Sequence, residues 1–111
     1  MAEQAIDLTF RDNGLMTLEE LRISNRVTIL DLAGRHGAHN VRVFGSVARG
    51  ESSPSSDVDL LVDLEPGRTL MDLGGLLIDL QEVLPVPVDV AIETMLRPKV
   101  RERVLLEAIP L

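Results

Sequence analysis

The residues of this chain that could perform chemistry are three aspartates, each placed in or beside an apolar segment. Side chains of a strand point alternately to its two faces, so Asp57 and Asp59 project from the same face if Val58 to Leu64 is a strand. In a later strand from Pro85 to Glu93, Asp89 points away from the valines on either side of it. If these two strands are neighbours, the three carboxylates converge.

A converging set of carboxylates predicts a cation between them. Two such charges about 4 Å apart repel each other by about 4 kcal/mol at an effective dielectric constant of roughly 20, and a bound cation offsets this repulsion. Ligand sets that consist only of oxygen atoms favour hard ions such as Mg²⁺ or Mn²⁺, whose coordination is usually completed by substrate phosphates. An Asp-x-Asp pair alone would be more typical of a solvated sheet face. The combination with Asp89 downstream and Gly45-Ser46 upstream favours the metal site.

The turn after the first predicted strand offers ligands for a phosphate. Gly45 and Ser46 follow the apolar segment 40–44 and open a loop with at most one or two turns of helix. Because a helix N-terminus carries unpaired N–H groups and a partial positive charge, Ser46 and the N–H groups after Gly45 are candidate phosphate ligands. Ser46 could instead be a simple N-cap residue. Arg49 either counters phosphate charge or pairs with Glu51, and the sequence leaves both alternatives open.

Two familiar loops are excluded by single residues. The glycine spacing from Gly45 to Gly50 is that of a P-loop, but Glu51 stands where the phosphate-binding lysine is required. An EF-hand loop that began at Asp57 would require glycine at the position of Val62. The chain is therefore neither a P-loop NTPase nor an EF-hand protein.

The periodicity of apolar residues predicts the elements that position these groups. Thr17 and Glu20 match a capping box at the start of a helix, and Pro98 suits the first turn of another. The apolar stripe of the first helix consists of Leu18, Leu21, Val27, Leu30 and Ala33. In chain order we expect a helix over 17–36, a strand over 40–44, a strand over 58–64, a helix over 69–84, a strand over 85–93 and a final helix from 98. This alternation predicts a compact α/β sandwich with helices against one face of a sheet.

Two adjacent glycines, Gly74 and Gly75, interrupt the helix predicted over 69–84. Each should cost up to about 1 kcal/mol relative to alanine. We expect close packing of this helix against the sheet to compensate for that cost.

Length and charge narrow the protein class. The 111 residues predict an extension over 1–16 without a recognisable pattern and one domain over 17–111. The 11 basic and 18 acidic residues give a net charge of −7, so phosphate repulsion disfavours direct nucleic acid binding. The absence of cysteine and of a signal peptide favours a reducing, cytoplasmic location. No apolar run approaches the roughly 18 residues that a membrane span requires.

The motifs together resemble a known superfamily. The spacing Gly45-Ser46, ten residues, then Asp57-x-Asp59 is similar to the signature of the DNA polymerase beta-like nucleotidyltransferases, and Asp89 matches their third carboxylate. The short form of the chain, with the segments 49–51, 60–64 and 97–110, resembles the minimal nucleotidyltransferase (MNT) antitoxins. The resemblance covers nearly all of 17–111.

This resemblance implies a small mixed β-sheet backed by helices, and Mg²⁺-dependent transfer of a nucleoside monophosphate from an NTP, usually ATP. Asp57 and Asp59 would hold the metal that binds the triphosphate. Asp89 would bind the metal at the acceptor hydroxyl and help to remove its proton, with two ions during turnover. Gly45 and Ser46 would hold the β- and γ-phosphates. The family partner is a HEPN-type RNase toxin, which the antitoxin blocks by adenylylating a tyrosine.

The composition bears on the identity of the acceptor. The chain contains no tyrosine, so a tyrosine acceptor would belong to another molecule. A partner protein that completes the site is therefore our leading expectation. Two alternatives are an antitoxin that neutralises its toxin by binding alone, and a nucleotidyltransferase that modifies a small molecule. All three acidic positions are present, which favours catalysis over binding alone, and the lack of an acceptor-binding domain disfavours the small-molecule enzyme.

Overall fold

The computed structural model describes residues 16–54 and 56–111. The predicted extension over 1–16 thus lies outside the described residues except for Met16, which is buried with the core. No helix in the described ranges is both long enough and apolar enough to span a membrane.

A mixed four-stranded sheet forms the centre of the fold. Its strands are β1 (Ala38–Phe44), β2 (Val58–Leu64), β3 (Val88–Ala91) and β4 (Ile109–Pro110). The spatial order is β3-β2-β1-β4, in which β1 is antiparallel to both β2 and β4, and β2 is parallel to β3. The mixed sheet and the α/β class are as predicted.

Strand β3 is shorter than the predicted segment 85–93. Pro85 and Pro87 have no N–H to donate to a ladder, and a 3₁₀ turn over Glu93–Met95 ends the extended segment. Strand β4, with only two residues, was not predicted because so short a segment carries no periodicity.

Four helical segments surround the sheet. Helix α1 has three parts, Leu18–Glu20, a π-helical turn over Leu21–Asn25, and Arg26–Arg35. The others are α2 (Gly45–Arg49), α3 (Leu70–Val83) and α4 (Pro98–Glu107). The predicted starts are confirmed, since the Thr17 hydroxyl accepts the Glu20 N–H at 3.1 Å and Pro98 occupies the first turn of α4.

The π-helical turn changes which residues of α1 face the core. A π turn contains one residue more than an α turn, so it shifts the apolar stripe around the helix axis. Leu21 and Ala33 are buried as predicted, but Val27 is 79% exposed and Ile29, at 1%, takes the inward position. The prediction for Val27 was therefore wrong, because it assumed an uninterrupted α-helical period.

Helices cover both faces of the sheet. Helices α1 and α3 pack on the face that carries Val58, Leu60 and Val62. On the opposite face Leu61, which is fully buried, packs with Ala91 and with Val104 of α4. The expectation of helices against one face only was wrong, because the final helix crosses to the face that carries the aspartates.

The two glycines of α3 do not pack against the sheet, contrary to our expectation. A Cβ on Gly74 would meet nothing within 4 Å. A Cβ on Gly75 would lie 2.9 Å from the ring of His36, whose Nε2 is 2.6 Å from an Asp79 carboxylate oxygen. Only Gly75 is thus constrained, and the constraint comes from the end of α1.

This difference predicts unequal outcomes for two adjacent alanine substitutions. Gly74→Ala should raise the free energy of unfolding by about 0.5–1 kcal/mol, because alanine is the better helix former and nothing obstructs its methyl group. Gly75→Ala should gain less or lose stability, since the His36 ring must move away from Asp79. Urea denaturation of both variants tests this, and equal gains at the two positions would show that His36 does not constrain Gly75.

Candidate active site

Strand pairing brings two of the three predicted carboxylates side by side. In the parallel pair of β2 and β3, Asp59 lies directly beside Asp89. Asp57 precedes β2, two residues before Asp59. Asp57 and Asp89 are exposed, whereas Asp59 is half-buried. The centre of this acidic cluster is therefore the carboxylate with the least access to water.

The environment of Asp59 raises its pKa from the ordinary value of 3.8 to about 6. Burial is the largest cause, followed by the charges of Asp89, Asp57 and Glu107, while the charge of Arg49 opposes the shift. Desolvation and like charges both disfavour the ionised form. Asp59 is thus a carboxylate that a cation would stabilise strongly.

At the other end of the same sheet face, basic and amide side chains balance the negative charge. Asp63, also on β2, accepts hydrogen bonds at 2.9 Å from the guanidinium of Arg42 and the side-chain amide of Asn40. Arg42 also lies 3.8 Å from Glu93. In contrast, within the described ranges no lysine or arginine forms an ion pair with Asp57, Asp59 or Asp89. Internal cations therefore balance one end of this face and leave the other acidic.

The donor chemistry of the cluster fits a hard cation. Across residues 16–54 and 56–111, no three histidine or carboxylate side chains are arranged as a ready metal site. Mg²⁺ commonly needs only one or two carboxylates beside substrate phosphates and water. Asp59 and Asp89 in register, with Asp57 just before β2, are compatible with that requirement.

The turn between β1 and α2 touches this cluster. Phe44 is paired with Asp59 across the antiparallel ladder, so Gly45 begins α2 immediately beside that carboxylate. A Cβ on Gly45 would lie 2.3 Å from Asp59 Oδ2, and the φ of Gly45 is +76°, in the left-handed region that favours glycine. Both the backbone conformation and the available space thus require glycine at this position.

The structure locates Ser46 as the second residue of α2. The N-cap residue is Phe44, so the alternative that Ser46 is a simple N-cap is wrong. Ser46 is half-buried and adjacent to Gly45 at the start of a helix, where backbone N–H groups lack helical partners. This position is compatible with a phosphate ligand.

Arg49 pairs with two carboxylates. Its Nε donates to Glu51 Oε1 at 2.9 Å, and its Nη1 donates to Glu107 Oε1 at 3.0 Å. The pairing with Glu51 is one of the two alternatives that the sequence left open. These hydrogen bonds with Glu51 and Glu107 raise the pKa of Arg49. The guanidinium is therefore already partly compensated before any phosphate binds.

Glu107, the last residue of α4, belongs to the site but was not predicted. Its Oε2 accepts the backbone N–H of Gly45 at 2.8 Å. Burial acts to raise the pKa of Glu107, but the Gly45 N–H and Arg49 outweigh it, so the pKa is lowered. Glu107 is 62 residues from Gly45 in the sequence, and no local spacing signals such a contact.

A cleft of about 650 Å³ adjoins α2 on the side of α1. Apolar side chains provide most of its lining, and Asp57, Asp59 and Asp89 are not part of it. We therefore place the chemistry at the carboxylates rather than in this cleft. Its lining residues are Thr17, Leu18, Glu19, Arg22, Ile23, Val47, Ala48, Gly50 and Ser52.

Comparison with known proteins gives consistent matches. The family model described as "Nucleotidyltransferase domain" matches residues 29–111. A Methanocaldococcus jannaschii protein provisionally named a protein adenylyltransferase is 38% identical over 81 residues, which are 73% of this chain and 87% of the relative. The protein adenylyltransferase MntA of Thermococcus cleftensis is 34% identical over 95 residues, 86% of this chain and 96% of the relative.

Two solved structures resemble the fold. One, provisionally described as a minimal nucleotidyltransferase, superposes with a TM-score of 0.75 at 55% identity and covers 86% of this chain and 97% of its own. The other, a crystal structure of a toxin-antitoxin with AMP-PNP, has a TM-score of 0.66 at 19% identity, with 78% and 71% coverage. At that identity the second likeness shows the fold alone.

The raised pKa of Asp59 predicts how its removal changes stability with pH. A carboxyl with a higher pKa in the folded than in the unfolded chain opposes folding when ionised, and this penalty disappears as the pH falls from 6 to below 4. Asp59→Asn should therefore raise the free energy of unfolding at pH 7.5, without metal, by about 1 kcal/mol after allowance for solvent screening. The gain should vanish in acid. Denaturant titrations in EDTA at several pH values measure both.

Asp63→Asn is the matched control on the same strand and face. It should lower stability at pH 7.5, because Arg42, whose side chain is 13% exposed, loses the nearer of its two charged partners. Equal changes in the free energy of unfolding for Asp59→Asn and Asp63→Asn would show that the two ends of this face do not differ in charge balance.

The close approach of Gly45 to Asp59 predicts a second contrast. Gly45→Ala and Gly50→Ala both place alanine at a positive φ, of +76° and +73°, which costs roughly 1–2 kcal/mol. Only Gly45→Ala also adds a methyl group against Asp59, since a Cβ on Gly50 meets nothing within 4 Å. Gly45→Ala should thus be the more destabilising in denaturant titrations.

The excess cost at Gly45 should fall when Asp59 is itself changed to alanine, because only its Cβ, 3.5 Å away, then remains in contact. An unchanged excess in the double variant would show that another neighbour is responsible.

Proposed function

We propose that this chain transfers AMP from ATP to a tyrosine hydroxyl of a HEPN-type RNase toxin and thereby acts as its antitoxin. The chain belongs to the nucleotidyltransferase domain family and is a nucleotidyltransferase of the minimal type. The observation that carries the proposal is the register of Asp59 beside Asp89, next to the Gly45 turn. This arrangement combines a turn suited to phosphates with an acidic cluster whose three aspartates form no ion pair with a described lysine or arginine.

The relatives favour a protein acceptor and ATP. Two of them carry the name protein adenylyltransferase, and the more distant solved structure is a toxin-antitoxin with AMP-PNP, an ATP analogue. The chain has no tyrosine of its own. A tyrosine acceptor would therefore come from the toxin, which we expect to complete the active site.

We assign Asp57, Asp59 and Asp89 as ligands of Mg²⁺, with two ions during turnover. When bound, the ions would neutralise charge on the triphosphate and lower the pKa of the acceptor hydroxyl. Gly45 and Ser46 would hold the β- and γ-phosphates, Ser46 through its backbone N–H and hydroxyl. Gly45 would contribute by letting the backbone approach closely, since its own N–H is donated to Glu107.

Transfer requires the acceptor oxygen to attack the α-phosphorus while the bond to the β-phosphate breaks, so that pyrophosphate leaves. Asp89 is exposed on the edge strand β3, where an acceptor that approaches from outside the sheet reaches it. Asp89 would help to remove the hydroxyl proton. Asp57 and Asp59, just before and within β2, would hold the nucleotide through the metal. Most of the catalysis would thus come from positioning and charge stabilisation.

A labelling experiment tests the proposal. Purified protein, labelled ATP, Mg²⁺ and the product of the neighbouring gene, the expected toxin, are mixed, and intact-mass analysis follows both proteins. We expect one or more AMP groups on the toxin, abolished by EDTA and by a toxin Tyr→Phe acceptor variant. Asp57→Asn/Asp59→Asn should slow labelling by about 100-fold or more, because the charge that holds the nucleotide complex is removed.

Asp63→Asn again serves as the control, because it removes an aspartate from the same strand but leaves the cluster intact. If the wild type forms a stable complex with the toxin and transfers no AMP, neutralisation by binding alone replaces this proposal. Modification of a small hydroxylated compound in the absence of toxin would instead indicate a small-molecule enzyme.

A further inference from the structure

Helix α2, which carries the phosphate-binding residues that we propose, is too short to be stable alone. It has five residues, Gly45–Arg49, and isolated helices of that length do not persist in water. Its position must therefore be set by contacts with the rest of the fold. Among the described residues, the side chain of Glu107 connects α2 to a distant segment of the chain through polar contacts.

A single carboxylate holds both ends of α2. Glu107 Oε2 accepts the N–H of the first residue, Gly45, at 2.8 Å, and Oε1 accepts from the guanidinium of the last residue, Arg49, at 3.0 Å. Oε2 is also 3.3 Å from the same Arg49 nitrogen. A negative charge at the start of the helix and a positive charge at its end are both favoured by the helix dipole.

The bond to Gly45 is stronger than an ordinary surface ion pair. The side chain of Glu107 is 18% exposed, and that of Arg49 is 45% exposed. An exposed pair contributes little, but a largely buried carboxylate that accepts a backbone N–H forms a charge-assisted hydrogen bond. Gly45 is also the residue whose Cα approaches Asp59.

The attachment point is itself fixed to the core by packing. Glu107 ends α4, and Val104, one turn earlier, is 2% exposed in the cluster with Leu61 of β2 and Ala91 of β3. The chain of contacts therefore runs from the sheet through α4 and Glu107 to the turn beside Asp59.

We propose that Glu107 is a positioning residue of this nucleotidyltransferase, which clamps the first and last residues of α2 and thereby sets the Gly45-Ser46 turn against Asp59 for nucleotide binding. The inference rests on the proposed function, in which that turn binds the triphosphate. Glu107 contacts no substrate in this scheme and acts through Gly45 and Arg49.

Nucleotide affinity tests the role without need of the acceptor. Titration of a fluorescent ATP analogue, mant-ATP, with Mg²⁺ gives the Kd at a temperature where melting curves show every variant to be folded. Glu107→Ala should raise Kd about 10-fold or more, the usual cost of losing a group that orients a ligand-binding residue. Glu107→Gln should recover most of the affinity, within about 3-fold of wild type, because its carbonyl can still accept the Gly45 N–H.

Two further variants keep the test decisive. Glu102→Ala removes an exposed carboxylate from the same helix and should leave Kd unchanged. Glu107→Asp keeps the charge on a shorter stem that does not reach both ends of α2, so it should bind mant-ATP more weakly than Glu107→Gln. That comparison replaces Glu107→Ala if the alanine variant does not fold.

The outcomes separate this inference from the proposed function. If wild-type protein does not bind mant-ATP with Mg²⁺, the proposed function fails and this inference fails with it. If wild type binds mant-ATP and folded Glu107→Ala binds it equally well, only the positioning role is overturned, and Glu107 serves stability alone. If Glu107→Ala binds more tightly, the positioning role is also overturned, and Glu107 competes with the phosphates. Stronger binding by Glu107→Asp than by Glu107→Gln would likewise overturn it, since charge rather than reach would then matter.

Discussion

The parallel pairing of β2 with β3 is the constraint on which the site depends. It sets Asp59 beside Asp89 on a sheet face where Asp59 is only partly accessible to water. The like charges and the burial then raise the pKa of Asp59 to about 6, so the folded chain carries an unfavourable electrostatic energy at neutral pH. We propose that this energy favours the binding of the cations that accompany a nucleoside triphosphate.

On the same face, the unfavourable electrostatic energy is confined to the end that carries Asp59. Asp63 and Glu93 lie at its other end, where Arg42 pairs with the first at 2.9 Å and approaches the second at 3.8 Å. Between the two ends, Leu61 is covered by α4. The apolar contact anchors the helix, the arginine neutralises one end, and the other end remains acidic. Stability and the function that we propose thus depend on separate parts of one sheet face.

Helix α4 links the apolar core to the site. Its inner side packs on the sheet through Val104, and its last residue, Glu107, holds the turn that touches Asp59. The negative charge of Glu107 also contributes to the raised pKa of Asp59. A small domain has few elements with which to orient a site, and here one helix both completes the core and orients the phosphate-binding turn that we propose.

The sequence by itself determined the local features of this protein. Alternation identified β2, and the turn at Gly45 and the start of α4 at Pro98 follow from the chemistry of single residues. Only the tertiary structure decided which strands are neighbours, which face α4 covers, that Glu107 joins the site, and that a π-helical turn moves Val27 outward. The first three features depend on contacts between segments far apart in the chain and on the balance of charges in a shared space. Local periodicity carries no information about any of them.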